Sequence, residues 1–319
     1  MKSLPAAFVL AAALSTACVG EKAGVALLTP GPVTDHGWNA AAYEGLTEIR
    51  DRMHVPVAHV QVKTPSEFEE QFRDFAARGA WLEFGHGFEF QDAAARAARD
   101  FPKTVFITTS GSTIRPNVAP MVFELEQATY LCGMAAARLS KTGVVGAVGG
   151  VEIPSVASTF LAFAGGVRAA NPKAVVRTVY TGSFDDAAAA RQATLALADQ
   201  GCDVVIHNAD AAGAGVFQAA RERKILAFGT NKDQNGLAPD VIVASAVIDI
   251  PRAFLEVAQE VRDGKFRPRS IRFGIRDGVV SFVWNPHRVS ALPEGLAAAI
   301  DGARAGIVSG AIVVPRGNF

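Results

Sequence analysis

From Gly24 onward, short apolar or β-branched runs alternate with longer stretches whose apolar positions recur at helical spacing. Runs of that length and composition read as strands, and the stretches between them as helices. The predicted strands cover residues 25–29, 57–62, 81–84, 105–108, 144–148, 175–180, 204–207, 225–229 and 242–245. Regular alternation of strand and helix specifies parallel sheets covered by helices, an α/β fold. The clearest helix opens at Pro65 and Ser66, with Glu69 three residues after the serine as an expected capping box. Phe68, Phe72 and Phe75 share one face of it and read as core. Farther on, apolar runs at 271–275 and 279–283 flank Asp277-Gly278, a dipeptide suited to a type I′ turn, and so predict a hairpin at a sheet edge.

The strand–helix series restarts after residue 123, where a helix expected at about 126–139 leads into the strand at 144. The boundary is therefore placed in 118–124. One Rossmann-like lobe takes 24–123 with a later crossover at roughly 248–284, and the other takes 124–247 with 285–319. At 319 residues, half of them hydrophobic, the chain suits two lobes of about 100–200 residues each. Two open parallel sheets facing one another leave a cleft, and such sheets bind ligands beyond the carboxyl ends of their strands.

Charge narrows the candidates further. Thirty-one basic residues balance thirty-one acidic ones with no Lys/Arg-rich run, so nucleic acid is not an expected partner. The six histidines are scattered and form no HExxH or His/Cys cluster, so no metal site and no cofactor are expected. At the N-terminus, Lys2 precedes an apolar run over 4–14 and then Ser15, Thr16, Ala17 and Cys18. These are the marks of an export signal, and the run is far too short for the ~20 apolar residues of a membrane span. A cysteine directly after small residues resembles a bacterial lipobox. Residues 1–17 would then be removed and a lipidated Cys18 would hold the protein to the membrane, although Leu14 stands four residues before the Cys where lipoboxes carry a Leu three before. A plain signal peptide cut nearby is the alternative. Either way the protein is expected to act outside the cytoplasm. The other two cysteines, Cys132 and Cys202, read as buried free thiols.

The residues after each predicted strand are the candidate site. After the first come Asp35, His36, Gly37, Trp38 and Asn39, an acid, a flat aromatic and an amide within five residues. Trp38 offers a face for stacking, while Asp35 and Asn39 can read the polar edge of a heterocycle; either can equally cap the helix starting there. After the third come Gly85, His86, Gly87 and Phe88. His86 and Phe88 could serve packing as readily as contact. The second lobe supplies Gly149 to Glu152 with Gly150, the segment Thr181 to Phe184, then His207, Asn208 and Asp210, and finally Thr230, Asn231, Lys232, Asp233 and Gln234. Enzyme signatures are missing: Gln218 stands where a dinucleotide fingerprint beginning at Gly213 needs its third glycine, and there is no GxxxxGK loop or GxSxG elbow. No catalytic residue is assigned.

These segments, in this order, resemble the basic membrane protein family, the nucleoside-binding lipoproteins of ABC importers. The matching stretches are Ala26-Leu27-Leu28-Thr29 through Asp35 to Asn39 and Glu44-Gly45-Leu46, then Tyr130 to Gly133 with Lys141-Thr142-Gly143. They continue with Val148-Gly149-Gly150, Tyr180 to Asp185, Ala209 to Val216, and Asp233-Gln234 followed by Ser245. The resemblance implies the fold of a type I periplasmic binding protein. It also implies a monomer that closes on a purine base, nucleoside or similar small molecule, anchored to the membrane and partnered with a permease. By the same resemblance, Asp35 and Asn39 would bond to the base, Trp38 would replace a stacking Phe, and the loop around Asn231 would face the sugar. Where the family's nucleoside binders tend to carry an Asp and a Lys for the ribose hydroxyls, this chain has Asn231 and Ile248. That departure raises a free base or another flat heterocycle to equal standing with a nucleoside. Phe88, Gly150, Phe184, Asn208 and Asp233 complete the expected ligand contacts. A sensor of the same fold feeding a membrane receptor is the alternative role.

Overall fold

A computed structural model describes residues 24–35 and 37–317. The expected signal, Cys18 and His36 lie outside the described residues. The first lobe begins β1 (Val25–Thr29), α1 (Trp38–Met53), β2 (Val57–Gln61), α2 (Pro65–Ala77), β3 (Leu82–Gly85), α3 (Gln91–Asp100), β4 (Val105–Thr109) and β5 (Val118–Phe123). The second runs α4 (Glu126–Leu139), β6 (Val144–Gly149), α5 (Pro154–Ala170), β7 (Val175–Tyr180), α6 (Ala187–Asp199), β8 (Val204–Asn208), α7 (Gly213–Arg223), β9 (Leu226–Asn231) and β10 (Ile242–Ile248). The chain then continues through α8 (Ile250–Arg262), β11 (Ile271–Phe273), β12 (Val280–Trp284) and α9 (Leu296–Ser309).

The strands form two six-stranded sheets, β11-β5-β4-β3-β1-β2 and β12-β10-β9-β8-β6-β7. The first is parallel throughout, and in the second only β12 runs antiparallel. The two orders match strand for strand, so each lobe is a doubly wound unit whose strand ends face the other. Strand β1 is buried along its whole length, as a strand covered by helices on both faces must be. Packing is closest where glycines remove the side chain. A Cβ on Gly133 of α4 would stand 2.0 Å from the Phe163 carbonyl oxygen of α5, and one on Gly166 would stand 1.9 Å from that of Tyr130.

Three sequence expectations are corrected. The predicted hairpin does not form: β11 joins the first sheet beside β5 and β12 joins the second beside β10. Gly278 does take a left-handed turn, with φ 71°, but each flanking run finds a longer, better-buried partner than the other. Strand β12, expected in the first lobe's crossover over 248–284, joins the second sheet, while the first passage between lobes falls within the expected 118–124 segment, at the end of a strand not read from sequence, β5. Pro120 of β5 is tolerated because Asn117 and Met121 carbonyls serve β4, whereas pairing with β11 starts only opposite Met121, so no ladder donor is missed. The capping box of α2 sits two residues earlier than expected. The Glu67 side chain accepts from the Thr64 backbone N–H at 2.9 Å, and Glu69 instead meets Arg73 and Arg96. The phenylalanine stripe of α2 is core, with Phe72 fully buried against Phe90 and Phe106. Cys132 and Cys202 are buried free thiols.

The chain passes between lobes after β5, after β10 and between β11 and β12. These passages are knitted together: Glu124 N–H donates to Phe273 O at 2.8 Å and Asp249 N–H to Val279 O at 2.7 Å. After β10, α8 returns to the first lobe, where Phe254 stacks on Phe84 with centroids 4.0 Å apart.

Candidate functional site

A cavity of about 190 Å³ lies between the lobes, and nearly every wall is a strand end. The first lobe contributes Pro30, Gly31, Asp35, Trp38 and Asn39 after β1, Gly87 to Glu89 after β3, Ser110 after β4, and Phe123 and Leu125 at the close of β5. The second contributes Ile153, Ser155, Val156 and Thr159 after β6, Phe184 and Asp185 after β7, Asn208 and Asp210 at β8, Asn231 at β9 and Ile248 at β10. Of the sequence-predicted contacts, Asp35, Trp38, Asn39, Phe88, Phe184, Asn208 and Asn231 therefore meet in one place.

Two do not. Gly150 lies beneath the wall: a Cβ there would stand 2.3 Å from Phe184 Cδ1, so its bareness seats the Phe184 ring. Asp233 is exposed and spends its carboxylate on the Asn235 N–H at 3.0 Å, as a turn residue does.

Asp35 is a cap rather than a free arm. One oxygen accepts from the Gly37 and Ala40 N–H groups at 3.0 and 2.9 Å, the other from the Asn39 backbone and side-chain amides, both at 2.8 Å. Those donors are orphans of the first turn of α1, which the carboxylate satisfies. Because Asp35 can only accept, the Asn39 Nδ2 is fixed toward it. The Asn39 Oδ1 is left buried without a partner.

Trp38 is held on one face by His86, centroids 4.1 Å apart and planes 22° from parallel, and meets Phe123 edge-on at 6.0 Å. His86 in turn bonds through Nε2 to the Trp38 carbonyl at 3.0 Å, and burial pushes its pKa down to about 3, so it is a neutral shim. A ligand stacking on Trp38 has only the opposite face. Phe88, largely exposed, and Phe184 add two further rings.

The lobes are fastened across the cavity. The Trp38 N–H donates to Asp210 Oδ1 at 2.9 Å, and at the rim Lys232 Nζ meets Glu44 Oε1 at 2.6 Å. Desolvation, reinforced by the nearby Asp35 charge, raises the Asp210 pKa to about 7. Asp210 stood among the candidate residues after its strand but not among the expected ligand contacts, and Ser110 was not read from sequence. Both share with Asn231 a left-handed backbone (φ 48°, 60° and 68°), and these are three of five such non-glycine residues among those described. Strain of this kind gathers at ligand sites. An Asp, Ser or Asn directly after a strand is the signal that could have found them.

A fold of two facing, mostly parallel sheets with a ring-lined cavity at their strand ends defines a small-molecule receptor of the type I periplasmic binding protein class. The family model "ABC transporter substrate-binding protein PnrA-like" matches residues 22–316, and the chain belongs to that family, the basic membrane proteins. Its relatives include a purine-binding protein of Brucella abortus, 28% identical over 86% of this chain and 79% of that one. They also include the ABC transporter nucleoside-binding protein BmpA of Lactococcus lactis, 27% identical over 89% and 86%. Among solved structures, an ABC transporter solute-binding protein from Aeropyrum pernix superposes with a TM-score of 0.82 at 20% identity, covering 92% of this chain and 94% of that one. The family consists of extracytoplasmic substrate-binding proteins that catalyse no reaction and hand small ligands to a permease.

Proposed function

We propose that this protein captures a purine base, a nucleoside or a similar flat heterocycle in the inter-lobe cavity and delivers it to an ABC permease. It works as a monomer held to the membrane by a lipid on Cys18. The observation that carries this reading is the convergence of Trp38, Phe88, Phe123 and Phe184 on one cavity whose gaps are filled by Asn39, Asn208 and Asn231. Aromatic faces stack any base for about 1–3 kcal/mol each, and amides between them read its polar edge. Ile248 lines the cavity where the family's sugar-binding Lys would stand, and about 190 Å³ is small beside the ~300–1,000 Å³ of pockets for drug-sized ligands. Both favour a base over a nucleoside.

Thermal melting of the purified protein against purine bases, their nucleosides, pyrimidines and riboflavin tests this. A ligand of the folded state stabilises it by about 2.7 kcal/mol at a hundredfold excess over its dissociation constant. A rise in melting temperature with purine bases is expected; no rise with any member of the panel would refute the proposal. Mass spectrometry of the membrane-extracted protein for an acylated Cys18 tests the anchor.

A further inference from the structure

The hydrogen-bonding groups of the cavity are unevenly spent. Each of its amides has one of two N–H groups engaged within the protein: Asn39 Nδ2 on Asp35, Asn208 Nδ2 on Thr159 Oγ1 at 3.2 Å, and Asn231 Nδ2 on Asn208 Oδ1 at 3.4 Å. The Thr159 hydroxyl donates to the Val156 carbonyl at 2.7 Å, so toward Asn208 it can only accept, which fixes that amide as well. The carboxylate oxygens of the lining and the Asn39 Oδ1, by contrast, can only accept. Asn39, only 5% exposed, keeps an unpartnered buried Oδ1.

Charge points the same way. Asp35, Glu89, Asp185 and Asp210 line the cavity, and among the described residues no lysine, arginine or histidine does. Nor is this a metal site: among the described residues no three His, Cys, Asp or Glu side chains converge to hold an ion. The walls between the carboxyl groups are aromatic, and an aromatic enclosure attracts a delocalised cation through the negative faces of its rings.

We infer that the cavity takes a flat heteroaromatic cation rich in N–H donors and turns away anions, an inference that rests on the heterocycle reading above. The cation neutralises carboxyl groups that otherwise repel one another, and its N–H groups meet acceptors such as Asn39 Oδ1. An anion or an acceptor-rich ring would leave those groups unpaired, the larger penalty in a desolvated site.

The test is calorimetric titration of the purified protein, at neutral pH, with pairs matched in shape. In each pair one member carries a protonated amino-imine edge and the other a neutral carbonyl: 1-methyladenosine against 1-methylinosine, and 1,9-dimethyladenine against 1,9-dimethylhypoxanthine. Urate serves as the anion. At least one cation should bind ten or more times more tightly than its neutral partner, and urate should not bind. In Asp210→Asn, and independently in Glu89→Gln, that preference should fall by about tenfold, the worth of one charge-assisted contact. The two variants guard against either one failing to fold. Tighter binding of the neutral members or of urate overturns the charge inference while leaving the heterocycle reading intact. Silence from all five probes, together with a silent melting panel, overturns both.

Discussion

Asp35→Ala separates a cap from a ligand contact. In the wild type the carboxylate accepts three backbone N–H groups and the Asn39 amide, and Asp35 is 7% exposed. Removing a helix cap costs about 0.5–2 kcal/mol, and a buried donor left unsatisfied about 1–3 kcal/mol. Water entering the space left by the carboxyl recovers part of this, so a net loss of about 2–4 kcal/mol is expected. At roughly 1.5 °C per kcal/mol for a chain of this length, the melting temperature should fall by about 3–6 °C. Denaturant unfolding followed by circular dichroism should give the same loss with an unchanged slope. Asp35→Asn, which keeps one acceptor oxygen, should lose about half as much. An Asp35→Ala protein of wild-type stability that no longer binds ligand would refute the reasoning, because the carboxylate would then serve the ligand and not α1.

Gly150→Ala should displace Phe184 from the cavity wall, given the 2.3 Å approach to its ring. Binding measured by calorimetry should weaken about tenfold or more, within the worth of one stacking ring. Asp210, with a pKa of about 7 in the folded protein against an ordinary 3.8, holds a proton there that the unfolded chain has released. Its contribution to stability therefore declines as pH rises from about 4 to 7. Buried His86 and His207, with pKa values pushed down to about 3 and 4, act in the opposite direction below pH 6.5. The readout is thus the difference between wild type and Asp210→Asn, which should shift steadily in favour of the variant as pH rises through that window. The groups facing Asp210 are Asp35, Asp185, the Trp38 N–H and the Asn231 amide; a pH-independent difference would contradict the assignment. Glu44→Gln breaks the exposed Lys232 pair and should cost no more than about 1 kcal/mol, less in high salt.

The strand ends were legible because period and strand length are local properties, and the rule that ligands sit at those ends carried seven of the nine named contacts into the cavity. What escaped depends on the other lobe. That Asp210 reaches the Trp38 N–H, or that Phe184 needs a bare Gly150 beneath it, follows from placement across long stretches of chain that no local pattern encodes. Strand β5 was hidden by Pro120, which reads as a breaker until the side of the ladder it faces is known. The Asp277-Gly278 turn signalled a reversal correctly, but the destination of each flanking strand was set by which sheet edge stood open.

The most direct test of the account is calorimetric titration of wild type and Trp38→Ala with the ligand that gives the largest shift in the melting panel. The account predicts one site per chain in the wild type. It also predicts affinity weakened by about 1–3 kcal/mol in a variant that still melts cooperatively, since His86 and Phe123 lose a partner but α1 keeps its cap. Undiminished affinity in Trp38→Ala would place the ligand elsewhere and contradict it.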